Sequence, residues 1–226
     1  NYPKYGAPQQ EGKYFIFGKN DGLQNQSVLY IKLGLDGTPE VLLDPNKLST
    51  DGTVALQASS MSKNQKYFGY ATSANGSDWQ EIYIMDVATK KLLADKLEYV
   101  KFSGISWLGD EGFYYSAYSK PENELTKFSV KTEYQKVFYH KLGTAQQDDQ
   151  LIYEDKDHAL RYVGAGLTED DRFLILYIGE GTDGSEIKIK DLTDKKATGF
   201  TTIVPGFKSN ASVVTNIGDK ILLVTN

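Results

Sequence analysis

Cysteine is absent from the 226-residue chain. That excludes a disulfide framework, a thiolate metal site and a cysteine nucleophile. Histidine is nearly absent, with two copies. His140 falls on the alternating segment 137–142 and reads as a packed or edge-exposed strand residue. His158 lies in the charged stretch 154–158 and reads as a solvated loop residue. Neither has an evident base or ligand partner close by in sequence, which argues against histidine acid–base chemistry and against a metal centre. The Gly181-Thr182-Asp183-Gly184 turn faintly resembles a calcium loop but lacks the extended set of oxygen ligands. Asn-x-Ser triplets at Asn25, Asn75 and Asn210 are short enough to arise by chance and carry no weight. No apolar run approaches the ~20 residues of a membrane-spanning helix. No stretch sustains the apolar period of an amphipathic helix either. Charge of one sign is nowhere blocked: 25 basic and 30 acidic residues are interspersed, for a net charge of −5. Without a basic stripe to displace counterions, nucleic acid is not an expected partner. No cofactor is implied. The lack of cysteine is compatible with both cytoplasm and periplasm, so the compartment stays open.

What the chain has instead is strand-forming residues in a repeat. Sixteen tyrosines and ten phenylalanines carry most of the aromatic content, and such residues suit pleated, half-buried strands. A polar turn followed by an aromatic or aliphatic strand start recurs five times, anchored at Tyr14, Tyr67, Phe113, Phe173 and Ile221, with spacings of 53, 46, 60 and 48 residues. Partner strands follow most anchors, at 27–31, 81–85, 136–139 and 186–189. All-β self-similarity at this period is the signature of propeller blades, with a β-sandwich as the bland alternative. The expected fold class is therefore all-β, a partial β-propeller of about four to five four-stranded blades. The expected blades are 12–60, 61–100, 101–155 and 156–205, with the start of a further blade at 206–226. The first includes a strand at 55–59, and residues 1–11 serve as a lead-in. A chain that begins at Asn1 rather than Met and stops mid-unit reads as part of a larger ring. Its open strand edges predict self-association or marginal stability.

Particular residues carry a resemblance beyond the repeat. The run from Asn20 to Tyr30, the Leu43-Asp44-Pro45-Asn46 segment and the Asp51–Leu56 segment resemble the first blades of the prolyl oligopeptidase family. So do Gly76-Ser77-Asp78-Trp79, Val100-Lys101-Phe102-Ser103 with Trp107, and Phe138–Thr144 followed by Asp148-Asp149. The resemblance covers most of the chain in order. It implies the N-terminal part of a seven-bladed propeller that caps an α/β-hydrolase domain in a serine peptidase acting on prolyl bonds of short peptides. The hydrolase domain itself has no counterpart here. Its nucleophile requires a G-x-S-x-G elbow, and Ser77 and Ser185 sit in glycine-containing turns without the second glycine. The chain alone is expected to carry no catalytic residue and to be inactive.

By the same resemblance, Phe102, Val163 and Thr182 match positions lining an apolar subsite two residues upstream of the cleaved proline, and Asp78 matches an acidic position near the cleft. From residue type alone Phe102 reads equally as a blade-core aromatic, and Asp78 as an Asx-type turn cap. Some relatives carry an arginine where this chain has Gly179. The polar loop Lys120–Tyr134 matches an inter-blade loop that gates entry in the family. Partners so implied are short proline-containing peptides and the absent hydrolase domain. The rival function is a free-standing partial propeller that binds a protein or ligand. A lectin-like or metal-binding propeller ranks last for want of clustered ligands.

Overall fold

The repeat turns show how the sequence writes strands. In a computed structural model, which describes residues 2–121, 131–182 and 184–226, the residue two positions ahead of the anchor is left-handed at Gly12, Gln65 and Asp171 (φ 58°, 57° and 59°). That backbone reverses the chain tightly enough for the next residue to start a strand. Two of these turns share a hydroxyl clamp. The Tyr67 N–H donates to Ser62 Oγ (2.9 Å) and the Phe173 N–H to Thr168 Oγ1 (2.9 Å), while the Ser62 and Thr168 N–H groups return bonds to the carbonyls of Tyr67 and Phe173. The cation before the anchor lies over its ring, at 5.2 Å for Lys13 on Tyr14, 4.9 Å for Lys66 on Tyr67 and 4.8 Å for Arg172 on Phe173. Each anchor ring thus gains a cation against its face.

Two compact units result, divided between Glu98 and Tyr99. In the first, β1 (Lys4–Tyr5) and β2 (Gln9–Glu11) both pair with β3 (Tyr14–Asn20), which continues through β4 (Val28–Leu33) to β5 (Glu40–Leu43). The segment 1–11, expected as a lead-in, therefore supplies two short strands from residue 4 on. Polar residues suffice there because the neighbouring strand offers backbone partners. A second antiparallel meander follows: β6 (Val54–Met61), β7 (Tyr67–Ala74), β8 (Gln80–Asp86) and β9 (Leu92–Val100). The strand expected at 55–59 as the end of the first repeat is β6, and it pairs with β7 from Val54↔Ala74 to Met61↔Phe68. An apolar alternation marks a strand but carries no signal of which neighbour it will join. The core of this unit gathers Ile31, Leu42, Met61, Phe68, Tyr70, Met85 and Val87 between its two sheets.

In the second unit, β10 (Ser106–Leu108), β11 (Gly112–Ala117), β12 (Lys136–Lys141) and β13 (Gln150–Glu154) form one antiparallel meander, and β14 (Tyr162–Leu167), β15 (Phe173–Gly179), β16 (Glu186–Asp191) and β17 (Thr201–Val204) form another. A two-stranded hairpin of β18 (Ala211–Ile217) and β19 (Lys220–Thr225) ends the chain. Register shifts recur between the last two strands of three sheets, at Leu29/Tyr30, Val137/Phe138 and Ile187/Lys188. Bulges there increase local twist, as a blade requires. The core between these meanders is built from Tyr114, Val137, Val163, Leu174, Leu176 and Ile178. Among the described residues no sheet closes on itself, and no helix is long and apolar enough to cross a membrane.

Candidate functional site

At one end of the second unit, three segments far apart in sequence are tied together: the bend between β9 and β10, the start of β12 and the start of β14. Gln135, just before β12, is 2% exposed and spends both ends of its amide. Its Nε2 donates to the Lys101 carbonyl at 2.6 Å, and its Oε1 accepts the Val163 N–H at 2.8 Å. A parallel tie runs through Ser116 on β11. The Ser116 N–H donates to Ser103 Oγ at 2.8 Å, and its Oγ donates to the Val163 carbonyl at 2.5 Å. Val163 is thus bonded through both its N–H and its C=O, and the two ties reach the residues on either side of Phe102.

Phe102 is held in the left-handed region (φ 54°) and is 59% exposed, with the Lys101 ammonium 5.2 Å from its ring centre. The alternative of a blade-core aromatic is therefore removed. A bulky residue costs of order 1–3 kcal/mol in a sparsely populated backbone region, and the ties on both sides supply the constraint that keeps it there. Val163 is 3% exposed, its side chain within the core beside Leu174, Leu176 and Ile178. Its link to the Phe102 bend runs through its backbone N–H and C=O, not its side chain. Thr182 is exposed in the turn after β15. Asp78 is exposed in the β7–β8 turn of the first unit, where Asn75 and Gly76 take left-handed φ and Ser77 Oγ accepts the Trp79 N–H.

At Gly179 the space a side chain needs is taken. A Cβ there would lie 2.3 Å from Tyr162 Cε2, and the Tyr162 hydroxyl donates to the Gly181 carbonyl at 3.0 Å. The Tyr162 phenol therefore lies across the end of β15. Nearby, Arg161 bonds Glu180 (2.8 Å) and Asp155 (3.1 Å), with its guanidinium 5.0 Å from the Phe207 ring centre. His158 Nδ1 lies 3.0 Å from the Asp155 carboxylate. Burial pushes the Asp155 carboxyl up, but hydrogen bonds from His158, the Asp157 N–H and Arg161 outweigh it and hold the group below the usual carboxylate range.

Both histidines thus have carboxylate partners, against the expectation that neither had one. The His140 and Asp149 side chains are each 1% exposed, with Nδ1 2.7 Å from Oδ1. Tyr115 donates its hydroxyl to Asp149 Oδ2 at 2.7 Å and accepts from Gln146 Nε2 at 3.2 Å. Burial, then the hydrogen bond and charge of Asp149, drive the Tyr115 phenol well above its ordinary range. The antiparallel pairing of β12 with β13, with Tyr139 opposite Gln150, brings His140 beside Asp149. No sequence signal marks Gln135, a polar residue at a strand start like many others. Among the described residues no group of three or more acidic or histidine side chains is arranged to hold a metal ion. The gate expected at Lys120–Tyr134 and the faint calcium turn lie partly outside the described residues, at 122–130 and 183.

The family model described as the prolyl oligopeptidase N-terminal beta-propeller domain matches residues 1–226. The chain belongs to the prolyl oligopeptidase family. It is 49% identical over 226 residues to a prolyl endopeptidase of Elizabethkingia meningoseptica, covering all of this chain and 32% of that protein. It is 31% identical over 255 residues to a prolyl oligopeptidase of Amanita bisporigera, covering 34% of that relative. Among solved structures, prolyl oligopeptidase B of Galerina marginata bound to a 25mer macrocyclization substrate superimposes with TM-score 0.87 at 28% identity, over all of this chain and 35% of that one. A structure from a study of two prolyl endopeptidases and their inter-domain dynamics matches with TM-score 0.87 at 32% identity, over 99% of this chain and 32% of that one. The chain spans about a third of the length of the curated prolyl oligopeptidases it matches. Its all-β sheets are those of the family's propeller.

Proposed function

We propose that this chain is the non-catalytic, access-limiting propeller of a serine peptidase that hydrolyses prolyl bonds in short peptides, and that it forms one wall of the substrate cleft. The meanders 54–100, 106–154 and 162–204 serve as successive blades. The family match along residues 1–226 carries the reading, and the exposed, tied-down Phe102 gives it a local chemistry. Bond cleavage belongs to a nucleophile, base and oxyanion hole on a hydrolase domain, and this chain contributes steric exclusion and binding. Phe102 offers an apolar face to the peptide side chain two residues upstream of the cleaved proline. Thr182 makes a more polar flank. Val163 contributes by anchoring the Phe102 bend.

Burying an apolar peptide side chain against Phe102 is worth about 1–2 kcal/mol, or roughly tenfold in kcat/KM. Phe102→Ala in the full-length enzyme should lower kcat/KM by that factor for a Phe-Gly-Pro reporter peptide, and hardly at all for Gly-Gly-Pro. The 226-residue chain assayed alone is the control and should turn over neither. Equal losses on both peptides would refute the subsite, and serine-inhibitor-sensitive turnover by the control would refute the non-catalytic role.

A further inference from the structure

A left-handed, exposed phenylalanine keeps one orientation only if its neighbours are fixed, and here the fixing is done by two side chains. Gln135 is buried and uses each end of its amide once, joining the Lys101 carbonyl to the Val163 N–H. Ser103 Oγ accepts the Ser116 N–H, and Ser116 Oγ closes onto the Val163 carbonyl. Phe102 therefore hangs between two anchored residues, and both anchors end on Val163, a core residue with little freedom to move. The bend itself brings little packing of its own: Lys101 and Ser103 are half-buried, and Phe102 and Gly104 are exposed. Without the amide, the Lys101 carbonyl and the Val163 N–H each lose their bond, and the bend is released on its β9 side. A side chain that discriminates between peptides must present its surface before the peptide arrives, since ordering it on binding would subtract from the discrimination.

We propose that Gln135, seconded by Ser103, is a positioning residue that sets the enzyme's preference for an apolar side chain two residues upstream of the cleaved proline, acting through Phe102. This rests on the reading of Phe102 as a subsite wall. The role differs from a general contribution to folding because its loss should be selective. Peptides with a side chain at that position should suffer, and those with glycine there should not.

The test is a specificity ratio in the full-length enzyme, kcat/KM for Phe-Gly-Pro over kcat/KM for Gly-Gly-Pro reporter peptides. Gln135→Met keeps volume and removes both hydrogen bonds. It should lower the ratio about fivefold while glycine-peptide turnover stays within about twofold. Ser103→Ala, a gentler cut on the other side of the bend, should lower the ratio about threefold. Phe102→Ala should lower it about tenfold, and the Phe102→Ala/Gln135→Met double variant should fall no further, since the glutamine acts through the ring. A reduced ratio in Phe102→Ala with native ratios in Gln135→Met and Ser103→Ala overturns the positioning role and leaves the subsite standing. A native ratio in Phe102→Ala overturns the subsite reading and the positioning role with it. Equal losses on both peptides in Gln135→Met, or a double variant well below Phe102→Ala, assign Gln135 to general structure and overturn the proposal. If Gln135→Met fails to fold, Ser103→Ala decides by the same ratio.

Discussion

Asp149→Ala tests the buried hydrogen-bond network of the second unit. The Asp149 carboxylate accepts from the Tyr115 hydroxyl at 2.7 Å and lies 2.7 Å from His140 Nδ1, with both side chains of the His140–Asp149 pair 1% exposed. The imidazole packs on Phe113 (ring centres 5.4 Å apart), and Phe113 in turn on Trp107 (5.0 Å). Alanine removes both acceptor oxygens and leaves an imidazole nitrogen and a phenol facing a small void. A hydrogen bond to a charged group contributes about 1.5–3 kcal/mol, and breaking a buried pair by deleting one partner costs about 3–5 kcal/mol. The expected loss is therefore about 3–5 kcal/mol, a large part of the ~5–15 kcal/mol of a typical domain. For a chain of this size that is a fall in Tm of roughly 10 °C. Urea unfolding followed by tryptophan emission reads it directly, because Trp107 reports on the same cluster. Tyr115→Phe, which removes one donor and leaves Asp149 with His140, should cost about 1 kcal/mol. Replacing His140 and Asp149 together by leucine should be less damaging than Asp149→Leu alone, since the imidazole that loses the carboxylate is removed with it. If Asp149→Ala is no worse than Tyr115→Phe, the carboxylate is not the hub of a buried network and the reasoning fails.

Alkaline pH probes the buried phenols. Burial, the Glu81 hydrogen bond and the Glu81 charge push Tyr83 up to about 12, and burial with the neighbouring Tyr139 and Asp171 pushes Tyr114 up to about 12. In the unfolded chain such groups titrate near 10. Between those values the folded state holds protons the unfolded state has lost, so stability present below pH ~10 declines as pH rises toward ~12. Tyrosinate absorbance should show a late-titrating component that shrinks in Tyr83→Phe and Tyr114→Phe; one transition near 10 for every tyrosine would contradict the burial. Gly112→Ala should destabilise by about 1–3 kcal/mol, because its Cβ would lie 2.2 Å from the backbone carbonyl oxygen of His140, which cannot step aside. Gly104→Ala, with nothing within 4 Å of its Cβ, should stay within about 0.5 kcal/mol, and comparable thermal melts for the two would refute the steric argument.

Local chemistry makes the strands legible in the sequence. The turn residues before Tyr14, Tyr67 and Phe173, and the aromatic and β-branched runs after them, act over a few bonds, so their outcome can be read residue by residue. The same holds for what the chain lacks: no arrangement of 226 residues without cysteine forms a disulfide. Which strands join, and which polar side chains meet, depends on closure over long distances. Val54–Met61 has an equally good alternation for either neighbouring sheet, and pairing with β7 is decided only when the second meander forms. Phe102 reads in sequence as a core aromatic or a surface one, and the left-handed bend turns it outward. Val163 is apolar and on a strand in either reading, yet its strand packs it inward. Gln135 meets Lys101 34 residues before it and Val163 28 residues after it, contacts that no local pattern encodes. A hydrogen bond between distant segments is specified by the register of every strand between them, and that register is a property of the packed sheets rather than of any stretch of chain.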